Sequence, residues 1–193
     1  MKKICVFAGS NEGKKESYRI AAQELGKCLA LNGKTIIYGG GSLGLMGLLA
    51  DSALLNKGTV EGVITSQLDS VEVSHKNLNK LDIVETMHER KALMAKRSEA
   101  IICLPGGVGT WEEFFEAMAW NQLGIHSKPI ILLNISNYYK DLYDFIKKSV
   151  DEKFLPLESL EDLYLVDNID ESLQVIDSFT KRNLNNWVLK TKL

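Results

Sequence analysis

The 193-residue sequence has only three cysteines and three prolines, and it contains no long apolar run. A bilayer-spanning helix needs about 20 predominantly apolar residues, so we expect no membrane contact. The cysteines, Cys5, Cys28 and Cys103, have no metal-ligand spacing, and two of them lie in apolar segments typical of buried strands. The sequence predicts neither a metal site nor a bound cofactor.

Neither sign of charge is in large excess, because 23 Lys and Arg residues oppose 25 Asp and Glu residues. A nucleic-acid-binding domain would show clustered basic residues and a high isoelectric point, so no nucleic-acid partner is expected. The length suits one soluble domain with one sizeable core, and we expect a cytoplasmic location. We predict a catalytic domain over residues 1–180 and a basic tail over 181–193.

Short apolar runs alternate with amphipathic segments of ten or more residues. This alternation predicts an α/β fold, a doubly wound, Rossmann-like parallel sheet in a single domain. Ligands of such sheets bind outside the carboxyl ends of the strands, and we expect the loops at 9–13, 39–44 and 105–110 to converge there on one cleft. The predicted strands cover residues 3–8, 34–38, 59–64, 81–84, 101–104, 129–134 and 164–166, and the predicted helices cover 17–32, 42–57, 87–98, 139–152 and 169–180, with a further helix from 110.

The stretch IICLPGGVGTWEEFFEA at 101–117 changes character twice. An apolar strand ends at Pro105, a glycine-rich loop follows, and a helix is predicted to begin at Thr110. A helix N-terminus has unpaired amide donors and partial positive charge, so strand, loop and helix together form a seat for phosphate. The loop is not a Walker A motif, because no Lys follows Gly109.

Two carboxylates, Glu112 and Glu113, are predicted in the first turn of that helix. Two interpretations of Glu113 stay open. It is either a catalytic carboxylate beside a bound phosphate ester, or the last residue of a capping box in which Thr110 caps the helix and Glu113 reaches back to the cap amide.

The segment 39–44 satisfies the pattern GxGxxG after a predicted strand. A dinucleotide site also needs an acidic residue at the end of the next strand, whereas Glu61 lies near its start, so we do not predict NAD. A mononucleotide remains compatible with this loop. Ser10, which follows the first strand, is expected to border the same cleft.

PGGVGTWEE at 105–113 matches the PGGxGTxxE signature of the LOG family, the cytokinin riboside 5′-monophosphate phosphoribohydrolases, some of which were labelled lysine decarboxylases. Three further blocks resemble this family in the same order: YGGGSLGLMG at 38–47, MHERKALM at 87–94 and WNQLGIHSKP at 120–129. A decarboxylase would need a lysine that holds pyridoxal phosphate together with its partners, and no motif here supplies them.

The resemblance implies hydrolysis of the N-glycosidic bond of nucleoside 5′-monophosphates, with AMP and N6-modified adenosine monophosphates as substrates, by a homodimer with active sites near its interface. It implies that Arg90 has a role in substrate binding or catalysis, and the position of Glu113 beside the glycine loop makes it our candidate for the catalytic carboxylate. We expect Arg90 to be a partly exposed charge near the ligand. Lys96 and Arg97 lie outside the family blocks and are expected in solvent. The alternative is a non-catalytic nucleotide or molybdenum-cofactor carrier, since related folds bind that cofactor. The loops and the resemblance together give a predicted substrate-binding set of Ser10, Gly40, Gly41, Glu72, Met87, Arg90, Lys91, Gly106, Gly107, Val108, Gly109, Thr110 and Glu112.

Overall fold

The computed structural model describes residues 2–70 and 73–181. Within these residues, the strands are β1 Lys3–Phe7, β2 Thr35–Tyr38, β3 Thr59–Thr65, β4 Lys80–Val84, β5 Ala100–Cys103, β6 Ile130–Leu133 and β7 Leu163–Val166. The helices are α1 Glu16–Leu31, α2 Gly44–Leu55, α3 Ser66–Asp69, α4 Met87–Arg97, α5 Val108–Gln122, α6 Lys140–Asp151 and α7 Ile169–Ser178. Short 3₁₀ turns lie at Ile135–Asn137 and Leu157–Leu160.

All seven strands pair in parallel, in the order β4-β3-β2-β1-β5-β6-β7. The predicted doubly wound α/β fold is confirmed. The direction of the strand order reverses between β1 and β5, and a sheet of this kind opens its ligand cleft at that point, outside the carboxyl ends of the strands.

Helices cover both faces of the sheet. Side chains alternate along a strand, so Ile4 and Val6 of β1 contribute to one core while Cys5 and Phe7 contribute to the other. The first core holds apolar residues of α1, α2 and α7, and the second holds apolar residues of α4, α5 and α6. Because both faces are covered, β2, β5 and β6 are buried at every residue, which explains the unbroken apolar sequences of β5 and β6.

Helix α5 begins at Val108, two residues before its predicted start, with Gly107 as its N-cap. The capping-box interpretation of Glu113 is therefore wrong, and Glu112 and Glu113 lie in the second turn. A true capping box occurs on α4, where Thr86 Oγ1 accepts from the Glu89 amide at 3.1 Å and Glu89 Oε2 accepts from the Thr86 amide at 3.1 Å.

Arg97 also differs from its prediction as a solvated charge. It is partly buried and forms ion pairs with Asp82 at 2.5 Å and with Glu61 at 3.7 Å, across the β3–β4 side of the sheet. Lys96 is exposed, as predicted. In the described parts of the chain, no helix combines the length and the apolar character that a membrane crossing requires.

Candidate active site

A cleft of about 860 Å³ opens at the carboxyl edge of the sheet, where β1 and β5 end. The loops 9–13, 39–44 and 105–110 all contribute to its lining, so the predicted convergence is confirmed. The predicted site residues that line the cleft are Ser10, Gly41, Met87, Arg90, Gly106, Val108, Gly107, Gly109, Thr110, Glu112 and Glu113.

The start of α5 is the predicted phosphate site, and we call residues 106–110 the phosphate seat. The first hydrogen bond of the helix runs from the Trp111 amide to the Gly107 carbonyl at 3.0 Å, so the preceding amides of α5 have no acceptor within the helix. A Cβ atom added at Gly107 or at Gly109 would meet nothing within 4 Å. The seat therefore combines donors with open space, as an anion site requires.

Arg90 lies at the floor of the cleft, with only 7% of its surface exposed. Its Nε donates to the Val63 carbonyl at 2.9 Å and its Nη2 donates to the Gly39 carbonyl at 3.1 Å. A Cβ at position 39 would lie 2.0 Å from Nη2, so glycine at this position makes room for the guanidinium.

The expectation of a partly exposed Arg90 is therefore wrong. Its guanidinium donates hydrogen bonds to the Gly39 and Val63 carbonyls, near the ends of β2 and β3. Removing it would leave these buried carbonyls without that donor. Substitution of Arg90 must accordingly lower stability as well as any activity.

Glu113 is nearly buried, with 11% of its side chain exposed, and its Oε1 lies 3.4 Å from Arg90 Nη1. Burial raises the pKa of Glu113 from its usual 4.5 to about 7, while the charge of Arg90 opposes that rise and the neighbouring Glu112 adds to it. Both protonation states are accessible near neutral pH, which suits a group that accepts and returns a proton.

Lys91 was predicted to bind substrate, and the structure places it elsewhere. Its ammonium group pairs with Glu112, and with Glu116 at 3.1 Å, and Lys91 is not among the residues that line the cleft. Burial lowers the pKa of Lys91, but the two ion pairs outweigh burial and the pKa is raised. The reason is helical geometry, since adjacent residues point about 100° apart, so Lys91 faces α5 when Arg90 faces the cleft.

Gly40 is also displaced from the cleft. It adopts φ +76°, and its carbonyl accepts from the His75 amide at 2.8 Å. A Cβ there would lie 3.1 Å from Leu81 Cδ1, so Gly40 faces the strands and not the ligand. Glu72, the remaining predicted site residue, lies outside the described residues, as do residues 182–193 of the tail.

Sequence reasoning missed Tyr138, which lines the cleft after β6. Its hydroxyl donates to the Gly106 carbonyl at 2.5 Å. Its place in the cleft follows from the strand order, which only the structure supplies, because β6 neighbours β5 and its following loop reaches the same edge of the sheet. No local motif marks the residue.

The seven-stranded parallel sheet, the cleft where β1 and β5 end and the buried Arg90–Glu113 pair define a Rossmann-like α/β protein. Residues 46–176 match the family described as "Possible lysine decarboxylase". The chain is 43% identical over 182 residues to "Probable cytokinin riboside 5′-monophosphate phosphoribohydrolase LOGL6" of Oryza sativa subsp. japonica, which covers 94% of this chain and 73% of that protein. It is 42% identical over 182 residues to cytokinin riboside 5′-monophosphate phosphoribohydrolase LOG1 of Arabidopsis thaliana, which covers 94% and 85%.

The chain therefore belongs to the LOG family, and it is an enzyme of the phosphoribohydrolase class. Among solved structures, the molybdenum cofactor carrier protein of Chlamydomonas reinhardtii superimposes with a TM-score of 0.70 at 21% identity, over 91% of this chain and 96% of that one. At this level of identity the likeness shows a shared fold and carries no argument about a shared ligand.

Proposed function

We propose that this protein hydrolyses the N-glycosidic bond of a nucleoside 5′-monophosphate and releases the free base and ribose 5-phosphate. AMP and N6-modified adenosine monophosphates are the proposed substrates. The observation that carries the proposal is Glu113, a carboxyl group with a pKa of about 7 beside Arg90 in the cleft that contains the phosphate seat.

The spacing along α5 supports this assignment. Glu113 lies five residues after Val108, and a helix rises about 1.5 Å per residue, so the two residues are about 7.5 Å apart along the axis. A nucleotide whose 5′-phosphate occupies the seat would extend its ribose along the second turn of α5. Its anomeric carbon then comes within reach of the Glu113 carboxylate.

Breaking the bond between the anomeric carbon and the base nitrogen develops oxocarbenium character on the ribose. Ionised Glu113 stabilises that charge and takes a proton from the attacking water, whose oxygen bonds to the anomeric carbon. The bonding electrons leave with the base, which then takes up a proton. We assign Arg90 to the negative charge on the departing base and Glu112, which is half exposed, to the ribose hydroxyls.

The remaining wall of the cleft is largely apolar and supports substrates with an apolar N6 substituent. Its lining includes Leu43, Met46, Ile64, Leu68, Val73 and Met87. Unmodified AMP would leave part of this surface in contact with water, so we expect a higher kcat/KM for an N6-isopentenyl nucleotide than for AMP.

We also propose a homodimer. Val108, Trp111 and Phe115 follow one another at helical spacing on α5, and each is exposed, beside the cleft. A monomer mass by light scattering at micromolar protein would contradict this assignment.

The test is incubation with AMP and with its N6-isopentenyl derivative, followed by chromatography of the products. We expect free base and ribose 5-phosphate in equal amounts. Binding of both nucleotides without any product would favour the carrier alternative, and release of inorganic phosphate with the nucleoside intact would place the reaction at the wrong bond.

A further inference from the structure

Three consecutive carbonyls at the entrance to the phosphate seat each accept a hydrogen bond from another part of the chain. Two of the donors are hydroxyls of adjacent tyrosines after β6, and the third is an amide after β1. The pairs are Tyr139 Oη with the Leu104 carbonyl at 2.6 Å, the Gly9 amide with the Pro105 carbonyl at 3.1 Å, and Tyr138 Oη with the Gly106 carbonyl at 2.5 Å.

The peptide group between Gly106 and Gly107 is the one whose orientation is least restricted by its own residues. Neither neighbour has a Cβ atom, so rotation of the peptide plane meets little steric resistance. In a planar trans peptide the carbonyl oxygen and the following amide hydrogen point to opposite sides. A hydrogen bond to the Gly106 carbonyl therefore also fixes the direction of the Gly107 amide.

The ring of Tyr138 is held in place by its neighbours. It packs edge-on against Tyr18, with centroids 5.8 Å apart, and edge-on against Tyr139, with centroids 5.0 Å apart. The hydroxyl has a single proton, which it donates to the Gly106 carbonyl. While this bond exists, the same hydroxyl cannot donate to a ligand in the cleft.

We propose that Tyr138 is a positioning residue for the phosphate seat, because its hydroxyl holds the Gly106–Gly107 peptide in the orientation that binds phosphate. This inference rests on the proposed function only in requiring a ligand with a phosphate group. It also accounts for the cleft-lining position of a tyrosine whose hydroxyl donates to the protein backbone.

The test compares the affinities of two probes by calorimetry, ribose 5-phosphate and the phosphate-free adenosine, in the parent and in Tyr138→Phe. We expect the ribose 5-phosphate affinity to fall about fivefold, the scale of one lost hydrogen bond, with adenosine affinity unchanged. In turnover assays with AMP, the KM should rise more than the kcat falls.

Tyr139→Phe is the matched control, since it removes the neighbouring hydroxyl from the Leu104 carbonyl. The peptide group that follows Leu104 belongs to Pro105 and has no amide hydrogen to direct, so the ratio of the two affinities should stay at the parent value. Because Tyr139 is only 1% exposed, its variant should instead melt at a lower temperature.

An unchanged ribose 5-phosphate affinity in Tyr138→Phe would overturn the inference, and so would an equal loss for adenosine. If the variant melts early, the ratio of the affinities still decides, because the folded fraction affects both probes equally. If AMP is not cleaved but ribose 5-phosphate binds less tightly to Tyr138→Phe, the proposed reaction fails and this inference stands.

Discussion

The loops 39–44 and 105–110 both join a buried parallel strand to a helix, yet the two helices use their N-termini differently. At the start of α2, the Leu45 and Met46 amides donate to the Gly9 carbonyl at 3.0 and 3.4 Å. Gly44 has φ +60°, and a Cβ there would lie 2.3 Å from the Ser10 carbonyl carbon. The glycine of this loop thus permits close packing of the first two loops, and the donors of α2 are used within the protein.

At the start of α5 the opposite holds. The described structure contains no hydrogen bond from the amides of Val108, Gly109 and Thr110 to the rest of the protein, and glycines at 107 and 109 leave open space. Two glycine-rich loops with similar local sequence therefore have different roles. The GxGxxG loop forms part of the cleft wall, and the loop before α5 carries the free amides of the proposed phosphate seat.

Arg90 connects the two loops. Its Nη2 donates to the Gly39 carbonyl in the first loop, and its Nη1 faces Glu113 on the helix that follows the second. In the proposed mechanism the loop 39–44 therefore contributes indirectly, because it holds the Arg90 guanidinium that pairs with Glu113.

Glu113→Gln gives the largest expected effect. It tests whether the catalytic carboxylate is on α5, the helix that begins with the phosphate seat. Gln retains the size of the side chain but cannot accept a proton from water or offset an oxocarbenium ion. We expect base release to fall at least about a hundredfold, the scale of one positioned general base. Nucleotide binding, measured by calorimetry, should persist because the seat consists of backbone amides.

Turnover of Glu113→Gln near the parent rate would remove Glu113 from the mechanism. Glu112, which also lines the cleft, would then be the carboxylate to examine. A melting temperature close to that of the parent shows that any loss of rate is not a loss of folded protein.

Equivalent substitutions in the two loops separate their roles directly. Gly44→Ala places a Cβ against backbone at a positive φ, so we expect a loss of about 3 kcal/mol in the free energy of unfolding. Gly109→Ala meets no neighbour and improves helix propensity, so its stability should equal or exceed that of the parent.

For ligand affinity we expect the opposite order, with Gly109→Ala more affected than Gly44→Ala. The added methyl group of Gly109→Ala enters the phosphate seat, and ribose 5-phosphate should bind about tenfold less tightly, equivalent to one charge-assisted hydrogen bond. Denaturant unfolding measures the change in stability of each variant, and calorimetry measures its affinity for ribose 5-phosphate. Equal destabilisation by the two substitutions would show that the loops do not differ as described.

The fold and the cleft were predictable from sequence because they depend on local patterns. Strands buried on both faces must be short and apolar, and glycines that follow such strands mark the carboxyl edge of the sheet. The start of α5 was misplaced because a glycine N-cap, Gly107, looks like the loop before it. The roles of Gly39 and Tyr138 were out of reach, since their partners Arg90 and Gly106 lie 51 and 32 residues away in sequence.

The pH profile tests the electrostatic setting of the α5 carboxylate. Because the pKa of Glu113 is raised to about 7, the ionised form that the reaction needs declines below neutral pH. We expect kcat/KM to fall about tenfold per pH unit well below 7 and to level off above it. The charged groups that set this value are Arg90, Glu112, Lys91 and Glu116.

The contribution of Glu113 to the free energy of unfolding should change with pH in the opposite direction to the rate. Between pH 4.5 and about 7 the folded state binds the Glu113 proton more tightly than the unfolded state does, so its contribution is complete below 4.5 and is lost as the pH rises through about 7. Denaturation of the parent and of Glu113→Gln across this range checks the sign. A contribution that grows with pH would contradict the raised pKa.

Lys91→Met gives the smallest expected effect and tests whether Lys91, which pairs with Glu112 and Glu116 and does not line the cleft, binds the substrate directly. Its charge helps to keep the pKa of Glu113 from rising further, so its loss should move the acid limb of the rate profile to higher pH. We expect a loss of about threefold in kcat at pH 7, no loss well above pH 8, and an unchanged KM, because Lys91 faces Glu112 and Glu116 and not the ligand. Lys96→Met, on the same helix but exposed, is the matched control and should leave kcat, KM and the pH profile at their parent values. A tenfold rise in KM for Lys91→Met at every pH would return Lys91 to the substrate site.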